Sequence, residues 1–248
     1  MIIAADLFYS YPGRAEALSD IRFELEAGRI LGLIGANGSG KSTLLSLLAG
    51  LFSPTKGRLQ VGAFSAPGRE KEIRSLTGLV VQDADLQILG ATVGEDLTLG
   101  WSSTAAKPPF IRETAARFGL AELWDRPVQD LSWGQKRRLC LAATLVRRPK
   151  VLLLDEPFSG LDYPGILEMR KILRENREAG LTQVIAAHDL EPLADLADQW
   201  LVLDRGRVGL SGNGRQVFAR LTEFSVRPPC SWQAGLGIRS WDWGPRES

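Results

Sequence analysis

The chain has 248 residues, with 30 Lys and Arg set against 29 Asp and Glu, a single His and two Cys. That length suits one large domain, or a main domain with a smaller insert, and a chain of this size buries about 70 to 75% of its unfolded surface. The formal charge of +1 excludes a broad attraction to nucleic acid or anionic lipid; Cys140 and Cys230 alone exclude a disulfide framework or a Cys-built zinc site; and one His excludes a His-rich metal site. The opening stretch MIIAADLFYSY has no basic region followed by an apolar one, so a secretory signal is not expected. No apolar run approaches the ~18 residues of a membrane span.

From Ile21 to Glu26 apolar and charged residues alternate strictly, which predicts a half-exposed antiparallel strand. Ile30–Ile34 is instead a continuous apolar run, as expected of a strand buried on both faces of a parallel sheet. It leads into Gly35-Ala-Asn37-Gly38-Ser39-Gly40-Lys41-Ser42, which fills the pattern G-x-x-x-x-G-K-[ST] and opens a predicted helix over Lys41–Ala49. Glycines there let backbone N–H groups converge on phosphate oxygens, and the helix N-terminus adds a partial positive charge. Lys41 would reach the β- and γ-phosphates, and the Ser42 hydroxyl would be a Mg²⁺ ligand.

Gln82 follows the apolar run Gly78–Val81. The stretch from about Gly90 to Asp130, with Pro108, Pro109, Pro127 and a helical patch at Ile111–Phe118, reads as a mainly helical subdomain inserted into an α/β core. Next comes Leu131-Ser132-Trp133-Gly134-Gln135, where Ser132 is a good N-cap for a helix over Trp133–Val146 and makes a second helix N-terminus available to phosphate. The basic triplet Lys136-Arg137-Arg138 reads as a solvated face.

Val151–Leu154 is another buried strand and runs into Asp155-Glu156-Pro157. Asp155 would hold Mg²⁺ through its water shell, and Glu156 beside it would orient or deprotonate an attacking water. A helix over Pro164–Ala179 has Pro near its start and Gly180 just past its end. The run Val184–Ala187 then delivers His188, which would bond a γ-phosphate oxygen on the side of the water away from Glu156. The phosphate loop, Gln82, Asp155 and His188 thus all sit at C-terminal strand ends, the edge where open α/β sheets bind ligands. Beyond Arg227 the Trp/Pro-rich tail, with Trp232, Trp241 and Trp243, reads as loosely packed local cover.

Taken together these elements resemble an ATP-binding cassette (ABC) ATPase, with Walker A, a Q-loop at Gln82, the signature LSWGQ, Walker B, a D-loop Ser159-Gly160-Leu161-Asp162 and the switch histidine His188, over residues from about Asp6 to Phe218. The resemblance implies a P-loop α/β fold: a parallel-sheet core, an antiparallel N-terminal β portion and a helical subdomain at about 90–145, all within a domain of residues 1–223 and followed by a tail of 224–248. It implies ATP and Mg²⁺ as cofactors. ATP would be bound by Tyr11 stacking on adenine, with Tyr9 or Phe8 as lesser substitutes, and by Gly35, Asn37, Gly38, Ser39, Gly40, Lys41, Ser42 and Thr43. Mg²⁺ would be held by Ser42, Gln82 and Asp155, and catalysis would fall to Glu156, His188, Gln82 and Lys41. A second cassette would face this one head to tail, so that Ser132, Trp133, Gly134 and Gln135 act on the partner's nucleotide, with Asp162 in the D-loop.

Within that family, the segment from Val81 to Leu97, the run LSWGQKRR and the Tyr11-Pro12 turn resemble the energy-coupling factor and cobalt-transporter ATPases. Gln87 falls at a second glutamine that these place near the groove for the membrane subunit's coupling helices. Departures are Ala84 for Pro, Gly94 for a bulkier residue and Trp133 for the first signature glycine; the last leaves Ser132 and Gly134 in place. The implied protein is a peripheral subunit at the cytoplasmic face of the membrane. It would contact integral-membrane transport subunits near Gln82–Asp96, with no nucleic acid partner, and would drive uptake of a vitamin or metal ion. The alternative is a soluble ABC ATPase of an iron–sulfur assembly scaffold. A non-hydrolysing regulatory cassette is disfavoured by Glu156 and His188.

Overall fold

A strand made wholly of apolar residues needs cover on both faces, and the layers of this molecule follow from that need. The structure, a computed structural model, describes residues 1–101 and 108–241. β1 (Ile2–Ser10) and β2 (Glu16–Leu25) pair antiparallel, and with β4 (Lys56–Val61) and β5 (Phe64–Ala66) they form a sheet in the order β2-β1-β4-β5. The strand expected from Ile21 is therefore antiparallel as read, and it begins earlier, at Glu16. A second sheet holds β3 (Ile30–Ile34), β6 (Thr77–Val80), β7 (Val151–Asp155), β8 (Thr182–Ala186), β9 (Gln199–Asp204) and β10 (Arg207–Gly212), in the order β10-β9-β3-β8-β7-β6. Its strands run parallel except β10, which pairs antiparallel with β9 at the edge.

Successive residues of the central strands point to opposite faces, and each face has its own core. Leu31 and Leu33 of β3 and Leu153 of β7 pack with the antiparallel sheet and α1 (Lys41–Leu48). Ile30, Ile34, Leu152 and Leu154 pack on the other side, beneath the helical elements. Those elements are α3 (Val93–Leu97), α4 (Pro109–Arg117), α5 (Trp133–Val146), α6 (Tyr163–Glu178), α7 (Gly214–Phe218) and α8 (Cys230–Gln233), whereas α2 (Glu70–Leu76) turns Ile73 into the first core. Between β6 and β7 lie α3, α4 and α5, the helical insert anticipated from the sequence. α5 buries Leu139, Leu141 and Val146, each worth roughly 1.5–3 kcal/mol as removed apolar surface. Among the described residues no helix is long and apolar enough to cross a membrane.

At the centre of the second core, Trp200 of β9 lies beside Gly32 of β3 in register, fully buried. A Cβ at Gly32 would meet its ring at 2.4 Å, so the sheet closes over the indole only because this position is glycine. The Trp200 ring contacts Phe218 at 5.0 Å between centroids, and Phe218 contacts Trp232 at 5.9 Å. Val226 is buried in the same core, so the first part of the tail completes it. Further on, Trp241 rests against Tyr163 at 5.3 Å; Trp243 lies outside the described residues.

Gly32→Ala is expected to force the Trp200 ring from its place and destabilise the chain by roughly 1–3 kcal/mol, as overpacking does. Urea unfolding monitored by tryptophan fluorescence checks this, and an unchanged midpoint would refute the packing account.

Candidate functional site

β3 ends in the glycine-rich loop, and the loop ends in α1. Gly40, the N-cap, takes φ 106°, and a Cβ there would lie 2.7 Å from Leu18 Cδ2, so no other residue fits the turn. α1 has neither a side-chain cap nor an acidic residue in its first turn, which leaves its positive end free for an anion. Lys41 Nζ donates to the Gly35 carbonyl at 2.8 Å and the Ala36 carbonyl at 3.3 Å. Burial pushes the Lys41 ammonium below the usual lysine range, and the negative charges of Glu156 and Asp155 oppose that shift. Ser39 Oγ is buried with no protein partner, as expected of a group reserved for a ligand oxygen.

The loop is braced from behind by the β9–β10 turn. Gly206 N–H donates to the Ser39 carbonyl at 3.0 Å, while the Gly206 carbonyl accepts from Ser19 N–H at 2.8 Å. Arg205 and Gly206 both have positive φ, the pairing that closes a two-residue hairpin.

Asp155 is the last residue of β7. Glu156 next to it turns into the left-handed region at φ 52° and is buried. Its N–H donates to the Ala186 carbonyl of β8 at 2.9 Å. Its carboxylate Oε2 accepts the His188 backbone N–H at 3.2 Å and lies 2.6 Å from His188 Nδ1. The sequence reading put these two side chains on opposite sides of a water, whereas the structure joins them directly. The reason is physical: a carboxylate taken out of solvent needs donors, and the end of β8 supplies two.

The structure gathers the expected residues, Ser39 and Gln135 excepted, into the linings of three cavities. Tyr11, Lys41, Ser42, Gln82, Asp155 and Glu156 line one of about 550 Å³, together with Asn37, Gly38, Gly40 and Thr43. A second, of about 340 Å³, joins Gly35, Asn37, Gln82, Glu156 and His188 to Ser225–Arg227 of the tail. Tyr11 is fixed by a hydrogen bond between its hydroxyl and Thr43 Oγ1 at 3.0 Å and by edge contacts with Tyr9 and Phe52. Tyr9 is buried in the core, and neither it nor Phe8 lines the cavity.

Ser132, Trp133, Gly134 and Asp162 line a third cavity of about 530 Å³, which shares no lining residue with the first. Ser132 and Gln135 form a capping box, each side chain accepting the other's backbone N–H. Asp162 caps α6 by accepting from Gly165 N–H at 3.0 Å.

A further expectation is corrected: the triplet Lys136-Arg137-Arg138 is not a solvated face. Arg137 is only 4% exposed, and its guanidinium donates to the main chain of Glu156 and Gln82. Missed altogether were Glu16, Ala17, Arg205 and Gly206, which complete the first cavity. For the last pair the signal was present: Asp204-Arg-Gly between two alternating segments is a hairpin turn. Nothing local marks Arg137 as buried.

A family model described as ABC transporter matches residues 18–159. The cobalt import ATP-binding protein CbiO of Rhodobacter capsulatus is 40% identical over 260 residues, covering 100% of this chain and 92% of the relative. An energy-coupling factor transporter ATP-binding protein of Clostridium perfringens is 37% identical over 223 residues, covering 86% of this chain and 78% of its own length. Among solved structures, a Clostridium perfringens chain described as part of the ABC transporter complex cbiONQ aligns with a TM-score of 0.78 at 35% identity, over 89% of this chain and 91% of that one.

If the first cavity is the nucleotide site, saturating ATP stabilises the chain, by ~2.7 kcal/mol at a hundredfold excess over Kd. For a chain of this size that raises Tm by roughly 5–10 °C. Lys41→Met is expected to unfold cooperatively but to lose this ATP-induced shift; a shift equal to that of the unmodified chain would remove Lys41 from the site.

Proposed function

Because the chain belongs to the ABC transporter ATP-binding family, and is thus an ATPase coupled to transport, we propose that it powers an importer of the energy-coupling factor or cobalt/nickel type. It would act at the cytoplasmic face of the membrane as one of a pair of cassettes, moving a vitamin or a metal ion. The observation that carries the hydrolytic reading is the Glu156–His188 pair just past the ends of β7 and β8, in which Glu156 also lines the cavity that Lys41 enters.

In this reading α1's N-terminus, Lys41 and Ser39 hold the phosphates, and Tyr11 stacks on the adenine. Mg²⁺ fits the donor set: a hydroxyl from Ser42, an amide oxygen from Gln82 and a carboxylate from Asp155 are hard oxygen ligands lining one cavity. They are too few to hold the ion alone, and the described residues contain no group of three or more His, Cys, Asp and Glu placed for a metal. A site completed by phosphate oxygens is what Mg²⁺ commonly uses, and there it would neutralise charge developing on the transferred phosphoryl group. Glu156 orients the attacking water and accepts its proton. His188 holds that carboxylate in place through Nδ1 and the main chain, and reaches the γ-phosphate from the same strand end.

Ser132 and Gly134 serve the nucleotide of a second cassette, so closure over ATP joins two half-sites and hydrolysis releases them. Membrane subunits would seat near Gln82–Asp96. A groove of about 240 Å³ runs there between Gln87, Leu89, Leu97, Leu99, Trp101 and Thr144, and in the same segment Leu86 and Leu89 are 77% and 74% exposed. Gln87 ties this loop to α5, its Oε1 accepting from Val81 N–H at 3.1 Å and its Nε2 donating to Thr144 Oγ1 at 3.2 Å.

Glu156→Gln is expected to bind ATP normally and to hydrolyse it about 10²- to 10⁴-fold more slowly, the range lost with a proton-transfer group; near-normal turnover would sink the assignment. Affinity purification from native membranes is expected to recover integral-membrane subunits. Recovery of soluble partners alone would overturn the importer reading.

A further inference from the structure

Arg137 is a buried side chain that bonds to the main chain of two site residues and has no role in the reaction as described. It lies on α5 one turn beyond Trp133, and its guanidinium is the only side-chain group among the described residues that bonds to both hydrolytic loops. Nη1 donates to the Glu156 carbonyl at 2.7 Å and Nη2 to the Gln82 carbonyl at 3.1 Å. Those carbonyls belong to the loops that leave the neighbouring strands β7 and β6. The Trp133 ring covers the guanidinium at 5.5 Å, and the next side chain, Lys136, pairs with Asp85 of the Gln82 loop at 2.6 Å.

Glu156 sits in a backbone region that non-glycine residues rarely occupy, so its conformation has to be held by its surroundings. Its N–H is anchored to Ala186 and its carbonyl to Arg137, which fixes the peptide on both sides. A planar guanidinium suits this task because its donors are set at a fixed spacing and reach two acceptors at once, which a single ammonium does not do with the same constraint. Burial lowers the pKa of Arg137, and the charges of Glu156, Asp155 and Asp83 help to retain the proton.

We propose that Arg137 is a positioning residue for ATP hydrolysis: it fixes the main chains of Glu156 and Gln82 relative to one another, and so sets where the Glu156 carboxylate meets the attacking water and where the Gln82 amide stands beside it. The inference rests on the reading of Glu156 as the hydrolytic carboxylate. It adds that the helix carrying the signature is mechanically tied to its own chain's hydrolytic centre.

The test compares ATP affinity and kcat for the full chain, Glu156→Gln, Arg137→Lys and Arg137→Gln, with Gly32→Ala as a control for lost stability. Both Arg137 variants are expected to keep the Kd for ATP within about twofold while kcat falls about 10- to 100-fold, the scale of a roughly 1 Å misplacement. Arg137→Lys should retain the greater share of activity, and Gly32→Ala should keep kcat per folded molecule. If either Arg137 variant folds and turns over within twofold of the unmodified chain while Glu156→Gln is inactive, the inference fails and the functional reading stands. A parallel loss of ATP affinity and kcat would make Arg137 a scaffold residue and equally overturn the proposal. Normal turnover by Glu156→Gln would overturn both.

Discussion

The chemistry of this molecule depends on parallel strands that stop at one edge. β3 releases the phosphate loop, β6 Gln82, β7 the carboxylates and β8 the histidine. Register does the placing: Asp155 pairs with Ala186 and Leu154 with Ile185, so Glu156 and His188 emerge side by side. A slip of one residue would turn every inward side chain to the other face of the sheet, and two filled cores forbid it. The apolar interior thereby specifies the polar site, although none of its fully buried residues lines the cavity that Lys41 enters.

Such an edge carries an electrostatic cost, because the groups that act there are partly or wholly out of solvent. Lys41, Arg137 and Glu156 are all buried, with Asp155 at the cavity wall. Two cations feel the charge of two carboxylates, and each also donates to main-chain carbonyls: Lys41 to Gly35 and Ala36, and Arg137, through its two Nη atoms, to Glu156 and Gln82. Buried charge is tolerated when it is both paired and hydrogen-bonded, and the loops gain their shape from the same bonds. Cys140, on the same helix as Arg137, adds no competing anion; burial pushes its thiol up to about 12 and keeps it neutral.

The parts legible in the sequence were those encoded locally. A continuous apolar run reported a strand covered on both faces, and Val151–Leu154 and Ile30–Ile34 are such strands. Pro164 and Gly180 bracket α6 to within a residue, and Ser132 with Gln135 encodes the start of α5. What escaped was made by contacts between distant segments. Arg137 reads as one of three surface cations because its partners, Gln82 and Glu156, lie in other loops and are backbone atoms, which carry no side-chain signal. The direct His188–Glu156 contact escaped for a related reason, since it depends on the left-handed turn at Glu156 that sends the carboxylate toward β8. The tail's part in the core was hidden because Trp232 and Val226 show no periodicity; their place is set by Phe218 and Trp200.

The separation of cavities bears on the proposed pairing of two cassettes. The signature helix begins in a different cavity from the one that Lys41 enters, and the two have no wall in common. Its capping box uses Ser132 and Gln135 on each other's N–H groups, which leaves the first-turn N–H groups of Trp133 and Gly134 without intrahelical acceptors. In front of Gly134 the space is open, with nothing within 4 Å of where a Cβ would stand. An anion brought there from outside would meet unspent donors and the positive end of a 14-residue helix. The cavity that Lys41 enters is lined by other residues, so an anion held there would not meet these donors. In the proposed pairing a second cassette would bring its phosphates to this point, and the bond from the Arg137 guanidinium to the Glu156 carbonyl would link that encounter to the end of β7.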